Sequence, residues 1–168
     1  MSKILVARSA DLGFIKVVGR GSFQNSGCLK SFYQQLLKEG THRFMVDLGA
    51  CTYLDSTFLG ILLGLGKTLK EAGNGLLHIL NASPRNLELL KNLGLDRLMK
   101  IDTVTAPGNG VAGNQLEEVV CPVPTREEAA PTILEAHEAL MEFDARNIPK
   151  FKDVVEFLRE DLGHTADK

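Results

Sequence analysis

The 168-residue chain holds no apolar run approaching the roughly 18 residues that span a bilayer. Its longest, Phe58 to Leu65, is interrupted by Gly60 and Gly64. Met1-Ser-Lys leads straight into strand-like Ile4-Leu-Val-Ala without the layout of a signal peptide, so no membrane insertion is expected. Cysteine is scarce: Cys28, Cys51 and Cys121 are odd in number, far apart and free of any CxxC. That usage points to a reducing cytoplasm rather than to a disulfide scaffold or a zinc site. Lys and Arg are scattered singly, with no run and no interleaved aromatic platform, so no nucleic-acid partner is expected. There is no Walker A motif. His42, His78, His137 and His164 lack metal-ligand spacing and read as packed or surface histidines, so neither metal nor cofactor is expected. Gly108-Asn-Gly110-Val-Ala-Gly113 fits GxGxxG, but two prolines follow where a dinucleotide fold needs a long helix. It reads as linker. The Asn81-Ala-Ser sequon is silent in a cytoplasmic chain.

What is present is an ordinary globular balance, 44% hydrophobic and 24% charged. The net charge of −2 conceals an asymmetry. Residues 1–103 carry 13 Lys and Arg against 8 Asp and Glu, net +5, and residues 104–168 carry 6 against 13, net −7. An acidic tail after a basic body has two readings: helices that pack on the body, or a dimerisation or partner element. The first is preferred.

Lys3–Arg8 and Phe14–Val18 read as a hairpin about the turn signal Asp11-Leu-Gly13, with Gly19-Arg-Gly21-Ser22 breaking the second strand. A helix capped by Asn25 or Ser26 runs to Glu39, its Leu29, Phe32, Tyr33, Leu36 and Leu37 at helical spacing. Arg43–Leu48 reads as a buried strand and Gly49–Leu54 as a loop. The helix from Ser56 to Glu71 is apolar around most of its circumference, which places it in a core or under a partner. Gly75–Asn81 is a strand, Ser83-Pro84 opens a helix ending at Gly94, and Leu98–Thr103 is a last short strand. Glycine- and proline-rich residues 106–124 read as a flexible linker. Two amphipathic helices follow, Arg126–Phe143 and Pro149–Leu162. The expected organisation is a domain over 1–105, the linker over 106–124 and an acidic helical extension over 125–168. The fold class is α/β, a mixed sheet covered by helices on one face.

The segment that carries chemistry is Leu54-Asp55-Ser56-Thr57-Phe58-Leu59-Gly60, between a strand and an apolar helix. Ser56 falls at the cap or first turn of that helix, where free N–H groups and the positive dipole end favour an anion. A phosphoryl group there adds roughly −1.5 to −2 charges beside Asp55, enough to switch a docking surface. On spacing alone a plain helix cap is the favoured reading, because Asp-Ser is common at helix starts.

The run from Val46 through Asp55-Ser56-Thr57-Phe58-Leu-Gly60 to Gly64 resembles the signature of STAS domains, the anti-sigma-factor antagonists: a buried strand, hydrophobic-Asp-Ser-Ser/Thr-Gly-Leu/Met-Gly, then an apolar helix. Gly73-Asn-Gly75 before a strand, Asn81-Ala-Ser-Pro-Arg opening a helix and Leu93-Gly-Leu-Asp-Arg-Leu-Met-Lys-Ile agree in order and spacing, and Val18-Gly-Arg-Gly-Ser agrees loosely. The resemblance covers about residues 3–105. It implies that Ser56 is a phospho-acceptor, that Asp55 helps form the site, and that Thr57 lies close to the phosphate. Phe58 stands where the family usually has Gly, a large apolar group expected to reshape or extend the docking surface. The implied mechanism is a partner switch. The unphosphorylated domain binds an anti-sigma factor that is also a serine kinase of the histidine-kinase-like ATPase type, and a serine phosphatase reverses the modification. The chain is then a substrate and ligand in the cytoplasm, not an enzyme. The alternatives are a non-switching accessory or scaffold subunit of a membrane-transport or signalling complex, and a Ser56-dependent hydrolase. Against the hydrolase stands the absence of the flanking glycines of a Gly-x-Ser-x-Gly elbow.

Overall fold

A computed structural model describes residues 2–9, 11–73, 75–102 and 116–166. Six strands and five helices follow the order β1 (Lys3–Ser9), β2 (Leu12–Gly21), α1 (Phe23–Lys38), β3 (Arg43–Leu54), α2 (Ser56–Glu71), β4 (Leu76–Leu80), α3 (Pro84–Asn92), β5 (Lys100–Asp102), β6 (Glu117–Val119), α4 (Arg126–Phe143) and α5 (Ile148–Ala166). The strands form one mixed sheet in the order β5-β4-β3-β2-β1-β6. β2, β3, β4 and β5 pair in parallel, and β1 pairs antiparallel with both β2 and β6.

Alternation along the strands decides which face is covered. Ile4, Val6, Ile15, Val17, Phe44, Val46, Leu48, Leu77 and Ile79 are buried and join α1 and α2 in one core. The opposite face is half-buried, carrying Leu5, Phe14, Lys16, Met45, Asp47 and His78. The mixed α/β sheet with helices on one face is the class expected.

Local chemistry differs from the sequence reading at several ends. The cap of α1 is Ser22 rather than Asn25 or Ser26: the Ser22 hydroxyl accepts from the Gln24 N–H, while the Asn25 side chain accepts from the Ser22 N–H. β2 continues through the glycines to Gly21, because left-handed Gly19 and two register shifts bend the strand without ending it. Its prolonged edge pairs Val18–Gly21 with Ala50–Leu54, so Gly49–Leu54, expected as a loop, is strand. Ser83 caps α3 as its side chain accepts from the Asn86 N–H, with Pro84 in the first turn. The GxGxxG at 108–113, linker residues 106–115, Thr103 and the His164 side chain lie outside the described residues. Within the remainder of the expected linker, β6 pairs Ile4–Val6 with Glu117–Val119.

The cysteines are a correction. Cys28 on α1 and Cys121 beyond β6 are joined as a disulfide across a sequence separation of 93, leaving Cys51 free and buried. Spacing along the chain hid the pair because β6, not either cysteine's own surroundings, brings Cys121 back to α1. The odd count therefore no longer argues for a reducing compartment. No helix among the described residues is long and apolar enough to cross a membrane.

α2 is buried around its circumference from Thr57 to Gly66, Gly64 being half-buried, and again at Leu69, while Lys67, Thr68 and Lys70 are exposed. The sheet and α1 take one side and α4 takes the other, with α5 packed on α4. The approach of α4 is close because position 60 is glycine: a Cβ there would sit 2.4 Å from the Ala136 carbonyl oxygen. Charge follows the same seam. Lys30 pairs with Glu135, Lys67 with Glu142 and Arg97 with Asp144, each a cation of the basic body and a carboxylate of the acidic extension. The exposed members of such pairs add little stability singly. The corner between α4 and α5 is clasped more firmly. Buried Asn147 donates to the Leu93 and Leu140 carbonyls at 3.1 and 2.9 Å, and Lys150 donates to the Asn92 carbonyl. Asp144, 8% exposed, accepts from Arg146 and Arg97, and these hydrogen bonds, Arg146's foremost, hold its carboxyl at about 2.

Two outcomes are expected. A folded-state value below the unfolded 3.8 stabilises the protein above that pH and loses the effect as pH falls toward about 2. Asp144→Asn should therefore lower the urea midpoint at pH 7, with the gap to the parent closing as pH drops from 3.8 to about 2. The oxidised, denatured chain should react with alkylating reagent at Cys51 alone, and at all three cysteines after reduction, as read by mass spectrometry.

Candidate functional site

Asp55 organises the site. Its N–H donates to the Gly21 carbonyl at 2.9 Å, docking the end of β3 on the end of β2. Its carboxylate then serves two helices: one oxygen accepts from the Phe58 N–H at 2.8 Å as the cap of α2, and the other accepts from the Phe23 N–H, first in α1, also at 2.8 Å. Two helix N-termini thus converge on one carboxylate, where their dipoles favour negative charge. Burial nonetheless raises the Asp55 pKa above its ordinary value, opposed by the N–H groups of Phe58 and Phe23 and by His137.

Asp55, not Ser56, is therefore the cap, and Ser56 is the first residue of the helix. The N–H groups expected to cradle an anion are partly engaged, since Phe58 donates to the Asp55 carboxylate and Leu59 to the Asp55 carbonyl. Thr57 is 4% exposed. Phe58 is fully buried and packs where Gly21 leaves room, a Cβ at position 21 lying 3.0 Å from its ring. The expectation that Phe58 extends a docking surface is corrected: its side chain points into the core. Of the four positions singled out by sequence, Asp55 and Ser56 alone are half-exposed.

The Ser56 hydroxyl meets a residue the sequence reading set aside. His137 of α4, 5% exposed, places Nε2 at 2.7 Å from Ser56 Oγ. Its Nδ1 lies 2.6 Å from the Ile133 carbonyl oxygen, which can only accept. Nδ1 therefore carries a proton and donates to that oxygen, and in the neutral form of the ring Nε2 accepts from the Ser56 hydroxyl. Phe151 of α5 packs edge-on against the imidazole, ring centres 4.9 Å apart. In sequence His137 was one more member of an apolar helical face, and nothing there linked it to a serine 81 residues away. The usable signal was indirect: an α2 apolar around most of its circumference needed a second cover besides the sheet.

A hydroxyl hydrogen-bonded to an imidazole whose tautomer is set is the beginning of a nucleophile–base pair. The remaining parts of a hydrolase are not assembled around it. The third member is a helix carbonyl rather than a free carboxylate, and the neighbouring N–H groups are committed within the cap. Two clefts among the described residues open elsewhere, one between α1 and the Val119–Pro124 segment, another between α4 and α5. Among the described residues no three His, Cys, Asp or Glu side chains converge as metal ligands.

Comparisons with known proteins agree with this framework. Residues 4–101 match the family model described as "Mlab, STAS domain". An anti-sigma-B factor antagonist of Staphylococcus epidermidis is 33% identical over 91 residues, 54% of this chain and 83% of that protein. Among solved structures, the Bacillus cell fate determinant SpoIIAA in its phosphorylated form superposes with TM-score 0.51 at 20% identity, over 60% of this chain and 91% of that one. An anti-sigma factor antagonist from Mycobacterium paratuberculosis gives 0.53 at 16% identity, over 79% and 94%. At such identities the superpositions speak for the fold.

Two substitutions probe the site. Asp55→Ala removes a cap and a second backbone acceptor and should cost about 2 kcal/mol in urea denaturation. Ser56→Ala should cost about 1 kcal/mol, because buried Nε2 of His137 loses its donor.

Proposed function

The chain belongs to the STAS domain family that includes the anti-sigma factor antagonists, and from that premise we propose that it is a partner-switching antagonist controlled by reversible phosphorylation of Ser56. The observation that carries this reading is the placement of Ser56 as the first residue of α2, half-exposed, on a carboxylate-organised junction of two helix N-termini. The unphosphorylated protein binds an anti-sigma factor that is also a serine kinase. That kinase transfers the γ-phosphoryl of ATP to Ser56 Oγ: the O–H bond breaks, its proton passes to the kinase's base, a new P–O bond forms and ADP leaves. A serine phosphatase directs water at the phosphorus and returns serine and inorganic phosphate. Within this reading Asp55 forms the site, Thr57 and Phe58 hold the first turn from beneath, and the chain acts in the cytoplasm as substrate and ligand rather than catalyst.

The new charge, about −1.5 to −2 beside the Asp55 carboxylate, is what releases the partner. One observation favours the second reading, a non-switching accessory or scaffold subunit: the Ser56 hydroxyl is already engaged within the chain by His137.

The two readings separate in a pull-down from the cells that make this protein. Ser56→Ala should capture an ATP-binding serine kinase, and Ser56→Asp should lose it by at least tenfold. The parent should gain the mass of one phosphoryl group with ATP and that kinase, and Ser56→Ala should gain none. Equal capture by Ser56→Asp would reject the switch in favour of the accessory reading.

A further inference from the structure

We propose that the C-terminal helices are an intrasteric lid over the phospho-acceptor, with His137 as the latch that Ser56 itself closes. The inference rests on the reading of Ser56 as the acceptor and names how access to it is regulated.

Three observations converge on this lid. Nε2 of His137 stands 2.7 Å from Ser56 Oγ, so the direction in which the hydroxyl presents its proton is filled by an imidazole. The ring cannot simply rotate away, because Nδ1 donates to the Ile133 carbonyl and Phe151 abuts its face. The helix bearing it is seated against bare backbone at Gly60, one turn along α2 from Ser56, where even a methyl group would collide with the Ala136 carbonyl. With Oγ in its present rotamer, a phosphoryl group on it needs the volume the imidazole occupies. The ring is held by its own helix, so it leaves with that helix.

The attachments of the lid are consistent with opening as a unit. α4 meets the body chiefly along α2, with ion pairs at Lys30–Glu135 and Lys67–Glu142 that are partly solvent-exposed. The Asp144–Asn147 corner, tied to Leu93 and Arg97, lies at the far end of α4 from Arg126. The chain entering α4 is tethered as well, because Cys121 is joined to Cys28 of α1 five residues before Arg126, so α4 has an anchor beyond each end and its latch midway. Phosphorylated Ser56 and a closed α4 exclude each other: closure keeps a kinase from the hydroxyl, and phosphorylation holds the lid open.

Native-state hydrogen exchange, read by mass spectrometry on the full chain, tests this without a kinase. With phosphoserine placed at position 56 by genetic encoding, amides of α4 and of the first turn of α2 should exchange at least tenfold faster than in the parent, while β2 and β3 keep their protection. His137→Ala should raise exchange in the same two segments severalfold. His137→Gln, whose side-chain oxygen can accept from Ser56, should restore most of the protection. Gly60→Ala should reproduce the opening without altering either latch residue. Parent-like exchange in α4 of the phosphoserine chain overturns the lid, as does loss of protection spread evenly over the sheet. If phosphoserine opens α4 yet the pull-down yields no kinase, the antagonist reading fails and the lid stands. If the kinase is captured while α4 stays shut, the lid fails and the antagonist reading stands.

Discussion

Much of the molecule depends on one carboxylate accepting from two helices. Asp55 has its N–H on Gly21 and its two oxygens on the first residue of α1 and the third of α2. The ends of β2 and β3 and the starts of α1 and α2 are thereby made one rigid junction, and the half-exposed side chain projecting from it is Ser56. The junction requires β2 to run past its glycines: Gly19 supplies the left-handed turn that bends the strand, and Gly21 leaves the space that Leu54 and Phe58 fill. The junction is thus built from backbone geometry and one side chain.

The second organising fact is that α2 is buried around its circumference from Thr57 to Gly66, with Gly64 half-buried. The family framework, residues 4–101, gives it a sheet on one side, and the extension gives it α4 on the other. Three carboxylates of the extension, Glu135, Glu142 and Asp144, face Lys30, Lys67 and Arg97 of the body across this contact.

Much of this was visible in the sequence. Strand alternation and the caps at Ser83 and Asp55-Ser56 rest on interactions within a few residues, and these placed α2 and α3 almost to the residue. The apolar circumference of α2 correctly called for a cover, and the charge asymmetry correctly suggested what the cover was. What escaped was set by contacts distant in sequence. Gly49–Leu54 looked like a loop because its strand character comes from pairing with a bent β2. Cys28 and Cys121 looked unrelated because β6 brings them together. His137 looked like packing because its hydrogen bond depends on which residue of α2 faces it, and helical periodicity does not encode that. Phe58 looked like surface because the cavity that receives it is made by a glycine 37 positions earlier.

The separation of 81 residues between Ser56 and His137 also has a consequence in time. A ribosome adds roughly 5–20 residues per second, so the serine emerges about 4–16 s before the histidine that will engage it has been made. For that interval every copy of the protein passes through a form whose hydroxyl has no imidazole against it. The nascent chain is thus chemically distinct from the finished one at this hydroxyl.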